Sequence, residues 1–144
     1  ANGIAGEWGH VPLPGRSAED GPLRRCWCGR SDCIETYLSG PAFEADHAAV
    51  AGAPASAAEI ARRAEDGDPH AHAAMARYAD RLARALAMVV NLVDPEVIVL
   101  GGGLSNIAAL FRLVPDRLAP HVFADRFAMP GCVLSPSAMA RSTA

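Results

Sequence analysis

Three cysteines and a histidine carry the most specific chemistry in this chain: Cys26, Cys28 and Cys33 lie on one short knuckle, and His10 precedes them by a Pro- and Gly-rich stretch. A C-x-C pair followed closely by a third Cys gathers three thiolates, and three sulfurs with one imidazole are the donor set of a tetrahedral zinc site. Pro12, Pro14, Gly15, Gly21 and Pro22 are turn formers that can return His10 to the sulfurs. Disulfide bonding is the competing reading. Three clustered cysteines and a fourth, Cys132, far along the chain suit paired bridges poorly. The opening Ala1-Asn2-Gly3 has no secretory-signal pattern, so cytoplasmic, reduced thiols are expected and zinc is preferred. Cys132, beside Val133 and Leu134, reads as a buried small hydrophobe.

Two acids stand next to these donors. Glu7 and Glu35 each offer a carboxylate that can accept two hydroxyl hydrogen bonds, the usual grip on vicinal sugar hydroxyls. Both also have structural readings, Glu7 in a turn and Glu35 at the start of a helix. Further on, Gly101-Gly102-Gly103 follows the apolar run Val97 to Leu100. Glycines there let backbone approach a ligand closely, though a strand-to-helix turn without a ligand reads the same way.

The positioning elements follow from punctuation and period. Residues 1–40 have the composition of loops and short strands, with Ile34 to Leu38 opening a helix. Ala42 to Val50 reads as a short helical turn ended by Gly52 and Pro54. Ser56-x-x-Glu59 is a capping box for a helix to about Glu65, with Gly67 as its C-terminal cap. Asp68-Pro69 starts the longest helix, to Leu92. Its core stripe is Met75, Tyr78, Leu82, Leu86 and Val89, with Arg77, Asp80, Arg81 and Arg84 on the other faces and His70 and His72 solvated at its start. Val97 to Leu100 suits a strand buried on both faces. Ser105 or Asn106 is expected to cap a helix over Ile107 to Val114, and Pro115 to kink or restart it. Short strands fit His121 to Phe127 and Cys132 to Leu134.

Composition narrows the function classes. The 144 residues suffice for one domain with a modest, Ala-rich core. A net charge of −3 with no basic run argues against a nucleic-acid footprint and an anionic membrane surface. The longest apolar run, Ala85 to Val93, is too short to span a bilayer.

Glu7-x-Gly9-His10 followed by Cys26-x-Cys28-Gly29-x-x-x-Cys33-x-Glu35 resembles the signature of the ROK family of bacterial sugar kinases and sugar-responsive repressors. The wider wording, Gly3 to His10 and Cys33 to Pro41, is most similar to the bacterial fructokinases. The resemblance fades after about Phe123 and departs at Asp32, where the family has Gly. Asp tolerates left-handed backbone better than most residues, so the knuckle is expected to survive.

The resemblance implies an α/β fold: a partial C-terminal lobe of an actin-like (ribonuclease H-like) ATPase fold with a zinc knuckle. Residues 1–144 would form one partial domain, with the zinc and sugar motif at 6–35 and a nucleotide loop at 97–104. It implies ATP- and Mg2+-dependent phosphorylation of a hexose, fructose first, by the full-length protein, with structural Zn2+ on His10, Cys26, Cys28 and Cys33. Glu7, His10 and Glu35 would line the sugar pocket, one His10 nitrogen on zinc and the other on a hydroxyl. Gly101, Gly102 and Gly103 would lie against the adenosine end of the nucleotide. The family's phosphate loops and catalytic aspartate precede the Glu-x-Gly-His motif, so no catalytic residue is expected here and the isolated chain should not turn over. The alternative is the sugar-sensing part of a ROK repressor. Family likeness further implies a homodimer, and an uncovered apolar face would favour self-association.

Overall fold

The computed structural model describes residues 6–123 and the backbone of 131–134, and its centre is one 25-residue helix, α4 (Pro69–Val93). Asp68 caps it by accepting from the amides of His70 (2.8 Å) and Ala71 (3.2 Å), and Pro69 occupies the first turn. Asp94, left-handed at φ 48°, ends it. Around α4 pack α2 (Gly40–Ala51), α3 (Ala57–Glu65) and α5 (Ala108–Leu118), with the one-turn α1 (Glu35–Leu38) beside α2. Strand β1 (Val97–Leu100) pairs in parallel with β2 (Gly131–Leu134), Val97 opposite Gly131 and Leu100 opposite Leu134.

Local signals set the helix ends. Ser39 caps α2, and Gly52 at φ +73° closes it, so the element is longer than the turn expected over Ala42 to Val50. Ser56 caps α3 through the Glu59 amide at 3.2 Å. The Glu59 carboxylate turns instead to Arg62 and Arg63, which hold it at a pKa of about 2. Gly67, at φ +90°, follows where a cap was expected.

The core stripe of α4 lies as its period predicts. Met75, Tyr78, Leu82 and Leu86 are buried with Phe43, Ile60, Leu110, Val114 and Leu118, and Val89 is half-buried. His70 and His72 are exposed. Arg81 departs from the expectation of an outward face: it is 3% exposed, because the loop before α1 folds over that side of the helix.

Further expectations are corrected. Val97 and Val99 are 50% and 59% exposed, while Ile98 and Leu100 pack on the core, so β1 is covered on one face only. Ser105 and Asn106 belong to a 3-10 turn, Gly103–Asn106, and bond back to the Gly102 and Gly103 carbonyls. Ile107 precedes α5 without a side-chain cap. Pro115 lies inside α5, which continues to Leu118 with Val114 and Leu118 buried in the core, so the helix does not restart at the proline. A 3-10 turn, Ala119–His121, follows, and the expected strand from His121 is absent through Phe123, its remainder lying outside the described residues. The strand expected over Cys132 to Leu134 is present as β2, but the Cys132 side chain, like residues 1–5 and 135–144, lies outside the description.

No helix among the described residues is long and apolar enough to cross a membrane.

Candidate metal and sugar site

A one-turn 3-10 helix, Trp8–His10, aims the His10 ring at the knuckle. Two short pairings fold the segments together: Pro12 bridges Cys33, and Arg25 bridges Ser31. The Gly29 amide bonds the Cys26 carbonyl at 3.0 Å, and Gly29 takes φ +87°, closing the turn between the cysteines.

The ligand atoms of His10, Cys26, Cys28 and Cys33 all lie within 4.8 Å of one another. His10 Nδ1 is 3.5 Å from Cys26 Sγ, and Cys28 Sγ is 3.6 Å from Cys33 Sγ. With zinc–sulfur and zinc–nitrogen bonds of ordinary length, a tetrahedral site sets sulfurs about 3.8 Å apart and sulfur and nitrogen about 3.6 Å apart. Those two separations match that geometry, and the donor set as a whole is of the right kind and close enough together for such an ion. A disulfide would need its sulfurs near 2 Å, and Cys26, Cys28 and Cys33 are free thiols. The Arg30 amide on its sulfur lowers the Cys28 pKa, whereas burial pushes Cys33 up to about 12. A cation among these sulfurs would reverse the second effect, because coordination deprotonates a thiol.

Glu35 sits at the rim. Its Oε2 accepts from Trp27 Nε1 at 3.0 Å and lies 3.6 Å from His10 Nδ1, and its side chain is 44% exposed. The Trp27 and His10 rings meet edge to face at 4.8 Å. Glu7 is exposed, and its carbonyl accepts the His10 amide, so it shares the turn that carries the ligand. His10, Glu35 and the three sulfurs are thus brought together, with Glu7 adjacent through the backbone.

The glycine loop stands apart. Gly101, Gly102 and Gly103 are exposed, Gly102 takes φ +82°, and a Cβ added at any of them would meet open space. A largely apolar cavity of about 430 Å3 separates this loop from the metal-bearing turn, lined by Trp8, Leu38, Leu86, Ile98 and Gly101 among others.

What sequence reasoning missed is the bed under the knuckle. Arg81 donates to Asp20 (3.0 Å) and Asp46 (2.9 Å), and Arg84 to Asp20 (2.7 Å) and to the Pro14 and Gly15 carbonyls. Arg24 bonds Asp46 and the Thr36 carbonyl, and Arg77 pairs with Asp46. The Tyr37 ring lies against Arg24 at 4.3 Å and Arg81 at 5.3 Å. Burial would raise the Asp20 and Asp46 carboxyls, but these hydrogen bonds outweigh it and hold both below the usual carboxylate range. The available signal was the spacing of Arg77, Arg81 and Arg84, a second stripe on α4 facing a loop that supplies Asp20.

Comparison with known proteins bears on this site. A model of the ROK family matches residues 1–142. An N-acetyl-D-glucosamine kinase of Citrobacter koseri is 43% identical over 123 residues, covering 83% of this chain and 41% of that protein. The chain thus spans well under half the length of the curated relatives it matches. Among solved structures, a ROK hexokinase from Thermus thermophilus superposes with a TM-score of 0.73 at 29% identity, over 93% of this chain and 43% of that one. A ROK family transcriptional regulator, a homologue of the E. coli MLC protein, superposes with a TM-score of 0.65 at 27% identity, over 81% and 31%.

Proposed function

Because this chain belongs to the ROK family, we propose that it forms the sugar-recognising, zinc-holding part of an ATP-dependent hexose kinase. The observation that carries the reading is the clustering of His10, Cys26, Cys28 and Cys33 at zinc-ligand spacing, with Glu35 against the same imidazole. The kinase relative at 43% identity supports transfer to a hexose, and the hexokinase fold supports the same class.

His10, Cys26, Cys28 and Cys33 would hold the ion through Nδ1 and three sulfurs. Closed by four protein ligands, such a site supplies no bound water and serves to fix the imidazole. The other ring nitrogen, Nε2, then donates to a sugar hydroxyl, while Glu35 and Glu7 accept from hydroxyls. Gly101, Gly102 and Gly103 are the backbone face proposed for the nucleotide's adenosine end. The base for the hydroxyl, the phosphate donors and Mg2+, which phosphoryl transfer requires, are assigned to the rest of the whole protein, so the C-terminal-lobe assignment of residues 1–144 belongs to the same proposal. Identity over most of the chain outweighs the wording of two short motifs. N-acetyl-D-glucosamine is therefore the first substrate to test and fructose the second.

ADP formation by the whole protein with N-acetyl-D-glucosamine, fructose and glucose tests the proposal, alongside zinc content of the full chain. Hexose-dependent ADP formation and one zinc per chain are expected, with binding lost in Glu35→Gln. Absence of turnover with every hexose, together with sugar binding, would favour the sensing role that the regulator likeness offers.

A further inference from the structure

We propose that Asp32 is a positioning residue that ties the metal knuckle to the arginine bed of α4 and keeps the His10 and cysteine segments in register for the ion. The inference rests on the zinc reading above. Asp32 directly precedes the ligand Cys33, is 7% exposed and holds φ 59°. Every polar group it owns is committed. Its amide donates to the Arg24 carbonyl at 2.8 Å while its Oδ1 accepts the Arg24 amide at 2.9 Å, a closed ring of two bonds that clamps the segment leading into Cys26. Its carbonyl accepts the Leu13 amide at 2.8 Å, and the Ile34 amide donates to Val11 at 2.9 Å, so the segment following His10 is pinned on both sides of Cys33.

The carboxylate extends this tie into the body of the protein. The Tyr37 hydroxyl donates to Oδ1, and Arg16 Nε lies 2.9 Å from Oδ2 while its Nη2 bonds the Gly21 carbonyl. Tyr37 in turn is covered by Arg24 and Arg81, which share Asp46. A glycine would meet the left-handed backbone with less strain. What the acid adds is a rigid link from a metal ligand, through Tyr37 and Arg81, to α4. Outer groups of this kind commonly set metal affinity by orienting the ligands.

The test compares Asp32→Gly, which relaxes the backbone and removes only the side-chain bonds, with Asp32→Asn, which keeps an acceptor oxygen and tolerates the same φ. Zinc affinity of the full chain is measured by chelator competition, and ligand geometry by the visible absorption of the cobalt(II)-substituted protein. Asp32→Gly is expected to lose about ten- to a hundredfold in zinc affinity and to shift the cobalt bands, and Asp32→Asn to recover most of both. Far-UV circular dichroism checks folding. Should Asp32→Gly not fold, Arg16→Gln, a change at a more exposed position, should weaken zinc binding about threefold, a fraction of the effect of losing the whole outer group, with the same spectral shift. A wild-type chain that holds one zinc, with affinity and cobalt spectrum unchanged in these variants, overturns the role of Asp32 alone. A wild-type chain that binds no zinc removes the metal reading and this inference with it.

Discussion

The two sides of α4 are finished to different degrees. On the knuckle side, Arg77, Arg81 and Arg84 meet Asp20, Asp46, Asp80 and loop carbonyls, and the buried charge is neutralised within the chain. On the sheet side, two strands pair in parallel, and Val97, Val99, Leu92, Val93 and Phe123 are 50% exposed or more. Parallel sheets are ordinarily covered on both faces, and a two-stranded pair has little stability of its own. The half that holds the metal donors is therefore locked by its own residues, and the half that carries the glycine loop is held mainly by Ile98 and Leu100 on the core. The difference teaches where stability and site geometry are coupled. Damage to the arginine bed should reach the proposed zinc ligands, and damage to the sheet should not.

The largest effect is expected from Arg81→Ala. Removing the buried Arg81 takes one cation from a cluster in which Asp20 keeps Arg84 and Asp46 keeps Arg24 and Arg77, and should cost up to about 3 kcal/mol, the lower end for breaking a buried pair. The denaturation midpoint should fall accordingly, with zinc content falling in parallel. A loss below about 1 kcal/mol, the value of an exposed pair, would mean the cluster is surface-like and the contrast between the halves is false.

Acid should separate the halves next. Asp20, Asp46 and Asp32 have folded pKa values below their unfolded values, so their stabilisation is complete above about pH 4 and is lost as pH falls through the depressed folded values. Of the two tryptophans, Trp27 bonds Glu35 on the knuckle side and Trp8 lines the cavity between the knuckle and the sheet. In chelator-treated protein, their fluorescence should therefore change below about pH 4. A transition centred well above that would place its cause outside these carboxylates.

Legibility in the sequence followed the range of the interactions. Ser56, Asp68, Gly52 and Gly67 act on amides and carbonyls within a turn of themselves, and their roles were readable from type and position. The grouping of Cys26, Cys28 and Cys33 on one knuckle was readable too, since their spacing is short, with His10 as the nearest imidazole. The left-handed backbone at Asp32 was foreseen from the resemblance, which has Gly there, but its bonds to Arg16 and Tyr37 were not, because they join residues that no motif connects. Arg81 was misplaced for a similar reason. A periodic stripe identifies one buried face, and here an aperiodic loop buries a second. The exposed face of β1 was unreadable because four apolar residues in a row do not reveal which elements lie beside them.

His47 gives a smaller effect of opposite sign. It is 1% exposed in α2, with neither ring nitrogen hydrogen-bonded among the described residues. An unpaired buried polar group is costly, and an apolar residue of similar shape removes that cost. His47→Leu should raise stability by about 1 kcal/mol, read as a higher thermal midpoint with zinc affinity unchanged. A drop in stability would show that the ring has a polar partner, such as a bound water.

The smallest effect is expected on the open sheet face, where it is also the most discriminating. Val99 is 59% exposed on the strand leading to Gly101, and its neighbour Leu100 faces the core. Threonine keeps the branched shape and β propensity, so Val99→Thr should change the stability of this chain by no more than about 0.5 kcal/mol. It should also reduce self-association in sedimentation velocity, since less apolar surface is offered. In a longer protein whose further strands cover this face, the same substitution buries a hydroxyl and should cost about 1–3 kcal/mol. Equal, near-zero changes in both contexts would mean that the face stays open in the whole protein. A large cost in this chain alone would mean that it is already covered, and the asymmetry across α4 would disappear.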